Sequence, residues 1–179
     1  MHDLGRNEDR LRGTYEFPFE FHHIDSTHPR YVMSYHWHVE CEIMRILQGT
    51  LTVTLDEKSF TAKAGDVIFV NSGVLHSGIP HDCIYQCIVF DMNMFLKFNS
   101  VCTEYMQKIS HQELLIYHHF TEKQPDIQRS VNSLFDSFWQ KKPGYELVVF
   151  GQFYHFFGLV FGNHYYLESL RKNRSEEHT

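Results

Sequence analysis

His36-Trp37-His38-Val39-Glu40-Cys41-Glu42, followed after six residues by Gly49 and then by Gly65 with His76 eleven residues on, is the stretch that decides the fold. Two histidines one residue apart on a strand project to the same face, with Cα atoms roughly 7 Å apart, so both imidazoles can reach one ion. Glu42, an even number of positions further on, shares that face if the chain crosses to the next strand. His76 follows the turn Asn71-Ser72-Gly73 and can be presented from a neighbouring strand, completing a set of three imidazoles and one carboxylate. That set suits one divalent transition metal (Zn, Fe, Mn, Ni or Cu), and the ligands alone do not choose among them. The competing reading keeps His36, His38, Glu42 and His76 as the polar lining of a cavity that holds an organic effector or water. Both stay open at this point.

Outward from this stretch, Arg30 to Phe90 is a run of short strands divided by turn signals, the spacing expected of a sandwich or barrel. Tyr31 to His38, Glu42 to Leu47, Leu51 to Leu55, Val67 to Val70 and Ile84 to Phe90 read as strands. Gln48-Gly49, Asp56-Glu57-Lys58, Ala64-Gly65 and Asn71-Ser72-Gly73 read as turns. Even-numbered positions on the Glu42 strand face inward with it, which makes Met44 and Ile46 candidates, with Arg30 and Ser34, to line an effector pocket; for Met44 and Ile46 ordinary core is the plainer reading. Trp37 faces away from its flanking histidines, as a packing residue between barrel and helices would. His22, His23, His28 and His118-His119 lack ligand spacing and read as solvated or incidental.

Residues 1–13 are charged and aperiodic, which predicts a flexible arm, either disordered or loosely docked. Tyr15 to Phe21 alternates as an edge strand does. Asp91 to Lys108 has no clear pattern, and 113–120 fits either a strand or a short helix. Ile127, Val131, Leu134, Phe135 and Phe138 fall on one side of a helical wheel, in a helix that ends near Lys142-Pro143-Gly144. Tyr145 to Phe161 is a second helix, apolar over most of its circumference. Gly144, Gly151 and Gly158 recur every seventh residue, a stripe along which another helix can approach closely, so a two-fold pairing that buries Phe150, Phe157 and Phe161 is expected.

The chain has 179 residues, a formal net charge of −6, 16% aromatic residues and 14 histidines. Its acidic balance argues against a phosphate-gripping surface of its own. Cys41, Cys83, Cys87 and Cys102 form no CxxC pair and lie in apolar stretches, as reduced buried thiols of a cytoplasmic protein do. The N-terminus has no apolar signal core, and Leu147 to Phe161 is too short and too polar at Gln152 and His155 to span a bilayer, so no membrane partner is expected.

The order HxH, three residues, Glu42, six residues, Gly49 resembles the first cupin motif. Gly65, five residues, Asn71-Ser72-Gly73, two residues, His76 resembles the second, with Asn71 where proline is common. The flanking wording is closer still to the N-terminal domain of AraC-type transcription regulators: Phe17-Pro18-Phe19, Glu42-Ile43 leading to Leu47-Gln48-Gly49, Ala64-Gly65-Asp66-Val67-Ile68 and Val74-Leu75-His76-Ser77. The resemblance implies a mainly β fold with an α appendage: a double-stranded β-helix (jelly-roll barrel) over 14–120, followed by a helical hairpin over 121–167 that makes a homodimer. It implies a small-molecule effector, a sugar being one class, bound in the barrel. Contact with promoter DNA would run only through a helix-turn-helix domain absent from this chain, to which 168–179 would be the linker. On this reading the chain is not an enzyme. The alternative is a metal-dependent cupin enzyme, such as an Fe(II) oxygenase or sugar isomerase, with His36, His38, Glu42 and His76 as ligands.

Overall fold

Two fifteen-residue strands, β4 (Cys41–Leu55) and β7 (His76–Phe90), pair antiparallel from end to end and form the spine of the protein. The structure, a computed structural model, describes residues 6–97 and 100–169. Around the spine lie β1 (Arg6–Asn7), β2 (Phe19–Ile24), β3 (Met33–Trp37), β5 (Lys58–Lys63), β6 (Val67–Val70) and β9 (His119–Phe120), which complete an eight-stranded sheet. β2 and β3 pair with opposite ends of β7, while β5 and β6 pair with opposite ends of β4. A 3₁₀ turn (Met92–Leu96) and α1 (Thr103–Ser110) lead to β8 (Leu114–Ile116), which pairs with β10 (Tyr166–Glu168) in a separate two-stranded sheet. Between β9 and β10 come α2 (Pro125–Gln140) and α3 (Tyr145–Gly162). This is the jelly-roll barrel with a helical hairpin that the motifs imply.

Gln48-Gly49 is not the turn expected between two strands. β4 runs through it, and the register with β7 slips between Ile46 and Thr50. Gly49 takes φ +69°, and a Cβ there would strike the backbone carbonyls of His81 and Asp82, the latter itself at φ +45°. An extra residue in a ladder switches which face the following side chains take. Met44 and Ile46 therefore point into the barrel before the irregularity, and Leu51, Val53 and Leu55 after it. Their partners on β7 switch in step: Gly78 and Pro80 sit opposite Val53 and Leu51, whereas Tyr85 and Cys87 sit opposite Ile46 and Met44.

The sheet is buried on both faces. Its interior holds Ile24, Met44, Ile46, Leu51, Val53, Ile68 and Tyr85. Its outer face carries Phe19, Ile43, Phe69, Ile88 and Phe90, which are covered by Ile127, Val131, Leu134, Phe135 and Phe138 of α2 and by Val149, Phe153, Phe156, Phe157 and Val160 of α3. Phe153 stacks on Phe19 at 5.0 Å and meets Phe90 at 4.6 Å. Each such side chain contributes roughly 1.5–3 kcal/mol of burial, so the hairpin is welded to the barrel rather than tethered to it. Pro125 opens α2, where its missing N–H costs nothing, and the left-handed Lys141 ends it before Pro143.

Several expectations are resolved or corrected here. Lys58–Lys63 is a strand, Asp91 to Lys108 contains two helical segments, and 113–120 is two short strands. The arm expected to be flexible is docked from Arg6 on: Arg6–Asn7 pair in parallel with His36–Trp37, and Arg12 is only 4% exposed; residues 1–5 lie outside the described residues. Trp37 is half-buried and belongs to neither core, because its strand faces β1 and not the helices. Glu168, expected in a linker, pairs with Leu114; residues 170–179 lie outside the described residues. Phe157, expected at a dimer interface, is buried against Phe95 and Phe153 within its own subunit. Phe150 and Phe161 are half-buried, Phe150 against Phe19 and Phe161 against Tyr105 and Tyr166. Cys41, Cys83 and Cys87 are buried free thiols, whereas Cys102 is partly exposed.

Candidate metal centre

His36 and His38 come from β3 and the residue just beyond its end, Glu42 from β4, and His76 from the first position of β7. Pairing of His36 with His76 across β3 and β7 sets their rings 4.1 Å apart. The four side chains converge: one ligand atom from each lies within 4.8 Å of all the others. Donors about 2.1 Å from a shared ion stand at most about 4.2 Å apart, so small rotamer adjustments close the set.

The imidazoles are held in one tautomer by their surroundings. Nδ1 of His36 lies 2.8 Å from the Ser34 carbonyl, Nδ1 of His38 3.0 Å from the Glu40 carbonyl, and Nδ1 of His76 2.8 Å from the Val74 carbonyl. A carbonyl oxygen only accepts, so each Nδ1 must be the N–H donor, which leaves each Nε2 as the free donor atom toward the centre. Nε2 of His38 and of His76 lie 3.2 and 3.3 Å from the same Glu42 carboxylate oxygen. His76, fully buried, has no well-aligned hydrogen-bond partner at Nε2. A buried lone pair without a partner is costly, and an ion at the centre would satisfy it.

The charges agree with this arrangement. Burial would raise the Glu42 carboxyl, but the adjoining imidazoles of His38 and His76 outweigh it and hold the group well below its ordinary value. Burial would lower His38, yet the Glu42 carboxylate raises it; His36 is lowered by burial and by the neighbouring His76. A carboxylate kept ionised and imidazoles with fixed tautomers are what a divalent transition metal requires, and the residues fit one.

Beside this cluster lies a cavity of about 50 Å³ between His36, His38 and Glu42 on one side and Ile24, Met33 and Tyr85 on the other. Of the four residues expected to line an effector pocket, Arg30 borders this cavity and Ser34, Met44 and Ile46 do not. Ser34 is exposed and serves through its carbonyl, while Met44 and Ile46 are sealed in the interior core because they sit deeper along β4. Residues not foreseen also take part. Arg12 donates to Glu20 and Glu8, Glu8 also meets Arg30, and His22 meets Glu20; Glu8, Arg12, His22 and Arg30 all line the cavity. Only their charge alternation hinted at this, because the partners are far apart in sequence.

Residues 18–157 match the family of the AraC-like ligand binding domain. A 56-residue stretch is 36% identical to an uncharacterized HTH-type transcriptional regulator of Bacillus subtilis, YdeC, covering 30% of this chain and 19% of that protein. Among solved structures, a Bacillus subtilis oxalate decarboxylase variant is similar at 25% identity and a TM-score of 0.31, over 34% of this chain and 18% of its own. A conserved Streptococcus pyogenes protein of unknown function is similar at 16% identity and a TM-score of 0.35, over 41% of this chain and 62% of its own. The structural likenesses are local and carry no argument about the site. The family match takes in the barrel, its four-residue cluster and most of the helical hairpin, and on that ground the chain belongs to the AraC-like ligand binding domain family.

Proposed function

We propose that this chain is the effector-sensing and dimerising domain of an AraC-type transcription regulator of the cytoplasm, and that it acts on promoter DNA through a helix-turn-helix domain outside these 179 residues. The observation that supports this reading most directly is an enclosed polar cluster inside a barrel of a ligand-binding family, with a helical hairpin packed on the outer face of the same sheet. No reaction is needed: a ligand that binds one arrangement of arm, barrel and helices better than another biases how attached domains are presented. The test is thermal denaturation of the purified chain against a panel of sugars, other small metabolites and divalent metal ions. Stabilisation by at least one ligand class is expected, and no response across the whole panel would refute the sensing role.

Dimerisation is assigned to the outward face of α3, with a changed residue set. Leu147 is 80% exposed, Val148, Gly151, His155 and Gly158 are exposed beside it, and Phe150 and Phe161 flank it. Nothing lies within 4 Å of a Cβ built on Gly151 or Gly158, so a second helix can approach closely there. Sedimentation equilibrium should give a dimer; a monomer at all concentrations would refute this part.

The pre-set ligand cluster also supports the second reading, a metal-dependent cupin enzyme. Oxygen consumption or sugar isomerisation that depends on added metal and is lost in a Glu42→Gln variant would favour it over the regulator.

A further inference from the structure

We infer that this protein has a second binding site, outside the barrel, in a cavity of about 840 Å³ between α1, β8, α3 and β10, and that the site takes an organic cation with a broad apolar body. The inference goes beyond the sensing role proposed above and does not depend on it, because this cavity shares no lining residue with the one beside the four-residue cluster.

Room is the first argument. Pockets that take organic ligands enclose roughly 300–1,000 Å³, and this cavity falls inside that range where the one beside His36, at about 50 Å³, does not. The space has a cause in the sequence. Gly158 and Gly162 stand one turn apart on α3 and both border the cavity, and nothing lies within 4 Å of a Cβ built on either. Met106, Leu114 and Phe157, all buried, supply an apolar floor on which a ligand's body can rest.

The lining chemistry selects the ligand. Tyr105, Tyr154, Phe161 and Tyr166 stand half-buried or exposed around that floor. Tyr105 meets Phe161 at 5.0 Å and Phe161 meets Tyr166 at 5.7 Å, so three of the rings make one continuous wall. The face of an aromatic ring is electron-rich and attracts a cation. The charged residues that line the cavity are Lys108, Glu113 and Glu168, and neither Lys108 nor Glu168 is held in an ion pair among the described residues. Two carboxylates against one ammonium make the cavity negative, in a chain whose formal net charge is −6. An apolar anion of the same shape would meet the same rings and the opposite field, so charge decides for the cation.

Tetraphenylphosphonium and tetraphenylborate, phenyl rings about a positive or a negative centre, differ in little but charge and make the test. Calorimetry on the whole chain should give one tetraphenylphosphonium per chain, with tetraphenylborate weaker by about tenfold. Glu168→Gln, at an exposed position, should weaken the cation about threefold, and Lys108→Gln should strengthen it by a similar factor. Gly158 also belongs to the face assigned to the second subunit, so Gly162 is the position to fill: Gly162→Leu puts a side chain into the open space and should weaken the cation about tenfold. Should that variant fail to fold, Tyr105→Ala, 49% exposed in the parent, should weaken it about threefold through loss of one ring. Bound cation should also slow the reaction of Ellman's reagent with Cys102, which lines the cavity. Tetraphenylborate binding as tightly as the cation, or no binding of either, would overturn the inference. Cation affinity undiminished in both Gly162→Leu and Tyr105→Ala, with Cys102 reacting at its unliganded rate, would overturn it as well, because the cation would then sit elsewhere. All of these outcomes leave the sensing role of the barrel standing.

Discussion

Replacing Gly49 by alanine tests the irregularity that brings the four-residue cluster together. The residue sits at φ +69°, where an L side chain costs about 1–2 kcal/mol. A Cβ would also run into the backbone carbonyls of His81 and Asp82, and because these are main chain in a paired strand they yield only by bending β7, a further cost of about 1–3 kcal/mol. The loss of unfolded-state freedom returns about 0.4–1 kcal/mol. The net is a destabilisation of about 1–4.5 kcal/mol, centred near 3, which for a chain of this length lowers Tm by roughly 10 °C. Gly73→Ala supplies the control: its φ is +75°, but nothing lies within 4 Å of the new Cβ, so only the conformational cost applies and the fall should be about 1 kcal/mol or less. Thermal denaturation followed by circular dichroism measures both. Equal shifts in the two variants would refute the steric argument, and a Gly49→Ala protein as stable as the parent would refute the bulge as the device that sets the two inward faces.

The docked arm carries a pH dependence. Burial would raise the Glu8 and Glu20 carboxyls, but Arg12 hydrogen bonds and neighbouring positive charge outweigh it and hold both below their ordinary 4.5. With folded values below the unfolded ones, the stabilisation is complete above pH 4.5 and is lost as pH falls through the folded values. The protection factor of the Glu8 amide, bonded to the Trp37 carbonyl at 2.9 Å, should therefore hold down to about pH 4.5 and fall below it; a fall already near neutrality would contradict this. Gly151→Ala should stabilise an isolated subunit by about 0.5–1 kcal/mol through helix propensity while weakening the dimer, and an unchanged dimer constant would place the interface elsewhere. Burial pushes the Cys41 thiol up to about 12 and Cys87 well above its ordinary value, so Ellman's reagent at neutral pH should titrate Cys102 alone in the native chain and all four thiols once it is denatured.

The site was legible where spacing is local. His36 and His38 share a strand face because they are two residues apart, and the Gly65-to-His76 interval returns the chain to the next strand whatever else the fold does. Glu42 followed from parity alone. Met44 and Ile46 followed from the same parity, but alternation tells only which face a residue takes and not how deep along the strand it lies, so the pocket stayed open for them beside the plainer reading as core, which is where they sit. The continuity of β4 through Gly49 was hidden, because a glycine with positive φ serves a turn and a bulge equally well. Arg12 was illegible for a different reason: its partners Glu20 and Glu40 lie on other segments, and charged residues without periodicity look alike whether solvated or paired. Phe157 was misplaced because α3 is apolar nearly all round, and a helical wheel without a polar side has no phase to read. The ring contacts with Phe95 and Phe153, both remote from the wheel's logic, decide which way it turns.

The placement of two charged residues on β4 shows how a site inside the barrel can bear on helices outside it. Glu42 faces inward to His38 and His76, and Arg45, three residues on, faces outward, so an odd step along one strand joins the two faces of the sheet. Arg45 is nearly buried. It donates to Gln86 on β7 and to Asn132 and Asp136 on α2, and its guanidinium lies 5.1 Å from the Phe135 ring centre. These are directional bonds that tie α2 to the strand at one register, where the surrounding phenylalanines supply adhesion without fixing position. α2 in turn packs along α3, whose outer face is the one assigned to the second subunit. A ligand that tightens Glu42 against its histidines therefore acts on a strand already bolted to the hairpin. The arm is joined to the same cluster from the other side, through the pairing of Arg6 with His36. Arm and hairpin thus meet the site through different strands, β3 and β4, so a ligand that draws His36 and Glu42 together would pull on both at once.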